Sequence, residues 1–141
     1  MALPTHVQLR IVSADRSLVN ETVDEVEIPG ADGYFGVLPG HAPLLALLGA
    51  GQLWYRQGQQ VRYLAMAFGF GEVQPDRVTI LAQVAERADE IDVARAEAAR
   101  RRAEERLARP MAADYDFERA RIAMMKSLIR LQVATRARIR S

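Results

Sequence analysis

The sequence has no cysteine, and its two histidines, His6 and His41, stand 35 positions apart. Disulfides, thiolate metal sites and cysteine nucleophiles are thereby excluded, and no histidine-built metal cluster is expected. Lysine occurs once, at Lys126 directly after Met125, so no glycine-rich phosphate loop ending in Gly-Lys-Ser/Thr is present. Long apolar runs are lacking as well. The longest, Ala42 to Ala50, covers nine residues and is broken by Pro43 and Gly49. A bilayer span takes roughly 20. The amino terminus carries no basic segment followed by an apolar core, so no secretory signal is expected. What is present is 141 residues, 50% hydrophobic and 26% charged, with a net charge of +1. That composition folds, and the length suits one ordinary domain or a small domain with a compact appendage.

Charge and turn-forming residues are shared unevenly. Residues 1–88 hold six Arg and nine Asp or Glu, a balance of −3; residues 89–141 hold twelve Arg, one Lys and nine Asp or Glu, a balance of +4. All nine glycines precede residue 72, and five of the six prolines precede residue 76. The expectation is a β-rich domain over 1–88 followed by a helical part over 89–141.

Period-two alternation carries the β reading. Val7, Leu9 and Ile11 alternate with Gln8 and Arg10, Val26 and Ile28 with Glu25 and Glu27, Val61, Tyr63 and Ala65 with Arg62 and Leu64, and Val78 and Ile80 with Thr79. Breakers such as Pro29-Gly30, Pro39-Gly40 and Gln57-Gly58 separate these runs. Short strands that each bury one face suggest a sandwich or flattened barrel. The remainder reads as a helical hairpin. Asp89 is the expected cap of a first, alanine-rich helix reaching Leu107, and Pro110 halts it. A second helix, capped by Asp114 or Asp116, has the apolar stripe Phe117, Ala120, Met124, Leu128, Leu131 and Ala134.

Two segments stand out. In the loop Gly33-Tyr-Phe-Gly-Val-Leu-Pro-Gly-His-Ala-Pro-Leu44, glycines and prolines shape a fixed surface turn around a small apolar insert. His41 has no serine, cysteine or acid close in sequence to complete a catalytic set, so a structural hydrogen bond is its expected role. From Arg119 to the end there are seven basic residues and no acidic one. That pattern is usually a solvated helix face; nucleic acid is the generic alternative, but aromatics for base stacking are missing.

Gly36-Val-Leu-Pro-Gly-His-Ala-Pro-Leu44, Gly71-Glu-Val-Gln-Pro-Asp-Arg-Val-Thr-Ile-Leu-Ala82, Ala85-Glu86 and Ile91-Asp92-x-x-Arg95-Ala96 together resemble the ε subunits of bacterial F-type ATP synthases, in order and spacing from His6 to about Ala134. Two departures are visible: Phe68 replaces the first of two paired glycines, and an extra residue lies around Pro110 to Ala113. The resemblance implies a ten-stranded antiparallel β-sandwich followed by an antiparallel two-helix hairpin. It implies a non-catalytic central-stalk subunit, peripheral on the cytoplasmic face of the bacterial inner membrane. The sandwich binds γ and rests on the c ring, with Gly33, Gly36, Pro39, Gly40 and His41 as contact residues. The hairpin swings out to the α/β catalytic hexamer and inhibits hydrolysis, presenting Arg119, Arg121 and Arg136 to an acidic segment. No cofactor is required and no metal or nucleic acid is implied; ATP is implied as a regulatory ligand, held by Glu86, Asp92, Arg95, Ala96, Arg102, Lys126 and Arg130. Apart from the resemblance, Asp92 and Arg95 also fit an ordinary surface ion pair. The competing class is a free-standing binding module whose basic helices engage nucleic acid or another acidic partner.

Overall fold

A computed structural model of the chain describes residues 3–109 and 114–140. Seven strands come first: β1 (Val7–Ser13), β2 (Ser17–Val23), β3 (Glu25–Gly30), β4 (Gly33–Val37), β5 (Leu44–Gln57), β6 (Gln60–Gln74) and β7 (Arg77–Arg87). A 3-10 turn at Ala88–Glu90 leads into two helices, α1 (Val93–Leu107) and α2 (Asp114–Arg140).

The strands form one hydrogen-bonded sheet in the order β2-β1-β7-β6-β5-β3-β4. The expected ten strands are therefore seven, and the reason is strand length. β5, β6 and β7 run for 14, 15 and 11 residues, at least about twice the usual five or six. Each bends and contributes one length to each layer of the sandwich. The change of layer shows in which positions face the core: Leu48 then Leu53 and Tyr55 in β5, Leu64 and Met66 then Val73 in β6, Val78, Ile80 and Ala82 then Ala85 in β7. In a period-two element, a switch from even to odd positions turns the strand over. The first layer thus holds β2, β1 and the Arg77–Ala82, Gly69–Gln74 and Leu44–Leu48 lengths, with β1 and β7 parallel. The second holds β4, β3 and the other three lengths.

The corner in β6 is tight. Phe68 has φ of 63°, alone among the described non-glycine residues in the left-handed region, and Gly69 follows at 148°. A Cβ on Gly69 would stand 2.1 Å from the Leu81 carbonyl oxygen. Phe68 keeps the backbone shape that the replaced glycine of the resemblance would adopt without strain.

The main core lies between the layers, built on Leu9, Ile11, Ile28, Leu53, Leu64 and Ile80. A second, small cluster lies outside the second layer, where Val133 of α2 packs on Tyr63 and Ala65, with Trp54, Val61, Ala88, Ile91 and Ile129 around it. Residues 63–67 are consequently buried on both faces, so the alternation at Val61, Tyr63 and Ala65 marks the hairpin-facing side of β6 and not a solvated one. α1 packs on α2, with Ala96 and Ala103 buried between them.

Two helix expectations need correction. Asp92, not Asp89, caps α1: its Oδ1 accepts the Arg95 backbone N–H at 3.1 Å, while Asp89 belongs to the preceding 3-10 turn. In α2, Phe117 and Leu128 are exposed, whereas Ser127 and Val133 are buried. The helix meets α1 and the sheet on two adjoining sides, so its inward arc is wider than one stripe. Ser127 is satisfied there by donating to the Met124 carbonyl at 2.9 Å. Asp116 lies within α2 rather than ahead of it, and Pro110 to Ala113 lie outside the described residues.

Candidate functional site

The hairpin leaves a cleft of about 290 Å³ against the second layer. Its floor is Ala65, Met66, Ala67 and Val84 of the sheet, facing Ala99 of α1 and Ala123 and Ile129 of α2. The cavity exists because alanine lines it on all sides and fills little space. Glu86, Lys126 and Arg130 bring charge to this apolar slot. Glu86 sits opposite Ala65 in the sheet register, so it faces the hairpin. Arg130 grips it with both arms: Nε donates to one carboxylate oxygen at 2.8 Å, and Nη2 to the other at 3.2 Å.

Three of the seven expected nucleotide-contact residues are therefore brought together. The other four stand on α1. Ala96 is buried against α2, and Asp92 spends one oxygen on its own helix cap. Arg95 and Arg102 are exposed. They lie four before and three after Ala99, on the helix face that borders the cleft. Chemically, the arrangement suits a flat apolar group on the alanine-rich floor with an anionic tail toward the cations.

Charged side chains also pin the connection between the two parts. Glu90 accepts from Arg87 Nε at 2.6 Å on one oxygen and from Arg16 Nη2 on the other. The Arg16 hydrogen bond, with Arg87 adding to it, holds the Glu90 carboxyl below the usual carboxylate range. Arg87 reaches the Leu18 carbonyl as well, at 3.3 Å. Nearby, burial pushes the Tyr55 phenol up to about 12, and the Glu21 carboxylate pushes the same way.

Gly33, Gly36, Pro39, Gly40 and His41 fall together on β4 and the turn after it. Gly33 and Gly40 have φ of 137° and 87°, which favours glycine at both. The His41 Nδ1 lies 2.7 Å from the Ala42 carbonyl oxygen, as a donor in that tautomer, and this fits the structural role expected. Leu38 and Tyr34 stand exposed on this projection. The three α2 arginines expected to meet an acidic segment, Arg119, Arg121 and Arg136, are not gathered in this way. Arg119 and Arg121 are two residues apart, hence on nearly opposite sides, and Arg136 is about 25 Å further along. Arg121 is held by Glu118 through two bonds of 3.0 Å.

One surface was not foreseen. Across the outer face of the first layer, Leu47 lies opposite Phe70, Phe70 opposite Leu81, and Leu81 opposite Val12. Leu47, Phe70 and Leu81 are 65%, 45% and 55% exposed, and Leu45 extends the row. Its signal in the sequence was apolar residues in both phases of one strand, as in Ile80-Leu81-Ala82.

Among the described residues, no helix is long and apolar enough to cross a membrane, and no His, Cys, Asp and Glu group is placed to hold a metal ion. A two-layer β domain carrying a helical hairpin defines the class. Residues 6–88 match the family described as ATP synthase, Delta/Epsilon chain, beta-sandwich domain, and residues 89–135 match its long alpha-helix domain. The chain belongs to the ATP synthase delta/epsilon chain family, and in that family it is a non-catalytic subunit of the rotary enzyme. It is similar to the ATP synthase epsilon chain of Syntrophobacter fumaroxidans, 49% identical over 128 residues covering 91% of this chain and 95% of that one. The epsilon chain of Koribacter versatilis is 51% identical over 100 residues, 71% and 70% of the two chains. In fold, it matches a chain of the Euglena gracilis mitochondrial ATP synthase assembly of OSCP, F1 and c-ring with a TM-score of 0.81 at 22% identity, covering 99% of this chain and 84% of that one.

Proposed function

We propose that the chain is the central-stalk ε subunit of a bacterial proton-translocating ATP synthase, peripheral on the cytoplasmic face of the inner membrane. The sandwich docks on γ and rests on the c ring, so that rotation driven by proton flow reaches the catalytic hexamer. The observation that carries this reading is the exposed row Leu47, Phe70 and Leu81. Three spacings between strands make it about 14 Å wide with Val12. A contiguous apolar patch on a sheet with a packed core behind it is the mark of a partner surface. The β4 projection, with exposed Tyr34 and Leu38, supplies a second contact, toward the c ring. Both surfaces sit on one rigid body, as transmission of torque requires.

The hairpin is the regulatory part. Only α2 lies broadly on the sheet, through a small cluster, which leaves the docked state marginal. Released helices inhibit hydrolysis by contacting the α/β hexamer, and ATP in the cleft opposes release. The apolar floor takes the base, while Lys126, Arg95 and Arg102 supply cations for phosphate. The arrangement of α2 does not favour the nucleic-acid alternative, because its arginines face different sides and two of them are engaged by Glu118 and Glu86.

The test is co-purification with γ. Leu47→Asp combined with Phe70→Asp places two charges in the row and is expected to weaken γ binding at least about tenfold, with the thermal melt unchanged. Undiminished γ binding by this folded variant contradicts the assignment.

A further inference from the structure

The hairpin rests on the sandwich through few side chains. Val133, Tyr63 and Ala65 are the buried members of the contact, and an alanine-lined cleft lies beside them. Across this thin interface runs one two-armed ion pair, Glu86 of β7 with Arg130 of α2, whose side chains are only 23% and 24% exposed. Lys126, one turn before Arg130, brings a second positive charge to the same cleft. On the other side of the cluster, Arg16, Arg87 and Glu90 tie the 3-10 turn to the sandwich. This second contact fixes the linker and not the helices. The Glu86–Arg130 pair joins a strand of the sandwich to α2 by charge.

We propose that Glu86 and Arg130 form a ligand-independent clasp that seats the hairpin on the sandwich. Glu86 then serves Arg130 rather than a bound nucleotide, and the docked state needs no ligand to persist. A carboxylate and a guanidinium that meet with both arms, partly out of water, gain geometry as well as charge. Removing one member leaves the other half-buried and unpaired in an apolar slot, which favours separation of the two surfaces. The inference rests on the docked geometry and not on the nucleotide reading, since no nucleotide enters its test.

The absence of cysteine makes the test clean. Asp76→Cys and Glu105→Cys, both at exposed sites outside the cleft, accept a pair of spin or fluorescent labels on the full chain. In low salt without nucleotide, the parent is expected to give one narrow distance distribution. Glu86→Gln or Arg130→Gln is expected to raise the fraction of long distances about fivefold, and the exchange Glu86→Arg with Arg130→Glu to restore the narrow one. Raising salt to about 1 M is expected to broaden the parent toward the single variants, which needs no substitution in the pair. A distribution unchanged by salt and by either single variant, with the strands still folded by circular dichroism, overturns the proposal. So does failure of the exchange to restore what the single variants lost.

Discussion

Phe68 and Gly69 form the sharpest turn in the backbone, and they carry opposite predictions. A left-handed phenylalanine costs about 1 to 2 kcal/mol relative to a residue at ease there. Phe68→Gly is therefore expected to leave stability unchanged or raise it by up to about 1 kcal/mol, since relieved strain offsets lost packing and backbone entropy. Gly69→Ala drives a methyl group into the Leu81 carbonyl and is expected to cost more than about 3 kcal/mol. Urea melts of the two variants check both signs. Tyr55 carries a pH prediction. Its phenol stays neutral up to about 12 in the folded protein, against 10.0 in an exposed tyrosine. The folded value is the higher one, so its contribution is complete below pH 10 and fades as pH rises toward 12. The loss across that window is about 2 to 3 kcal/mol, and Tyr55→Phe should remove it from alkaline unfolding curves. At this scale the sequence was only partly legible. Phe68 was visible as a departure from the resemblance. The pairing of Glu86 with Arg130, and of Glu90 with Arg16, was not visible, because side chains 44 and 74 positions apart meet only after folding.

At the scale of elements, α2 is held by its contact with β5 and β6 rather than by helix propensity. Val133→Ala removes its one fully buried side chain in that contact and is expected to weaken docking by about 2 kcal/mol. Hydrogen exchange should then quicken across α1 and α2 while β1 and β7 stay protected. Equal quickening in the strands would mean that hairpin and sandwich are one cooperative unit. The alternation at Val7 to Ile11 and at Val26 to Ile28 correctly located strands with one buried face. The same rule misjudged β6, where Leu64 on the face that alternation assigns to water lies in the main core, and Tyr63 and Ala65 lie under the hairpin. The strand count differed because hydrogen bonding continues through the corners that divide each long strand between layers. The cap at Asp92 was missed in favour of Asp89 since both precede an alanine-rich run, and only the geometry of the 3-10 turn separates them.

For the whole molecule, one arrangement organises the account. The sandwich presents an apolar row on one layer and the hairpin on the other, so one rigid body can hold a stalk partner while its helices dock or release. The two-part division of charge and glycine made the architecture legible. The row itself was hidden, because Phe70 lies beyond the corner in β6 where the inward phase changes, and Leu47 and Leu81 join it only through the pairing of strands. The most direct measurement compares the full chain with residues 1–88 in the reconstituted enzyme, following ATP hydrolysis and retention of the added protein together. The account predicts that both bind and that only the full chain slows hydrolysis. Equal inhibition by the sandwich alone, or no binding by either, would contradict it.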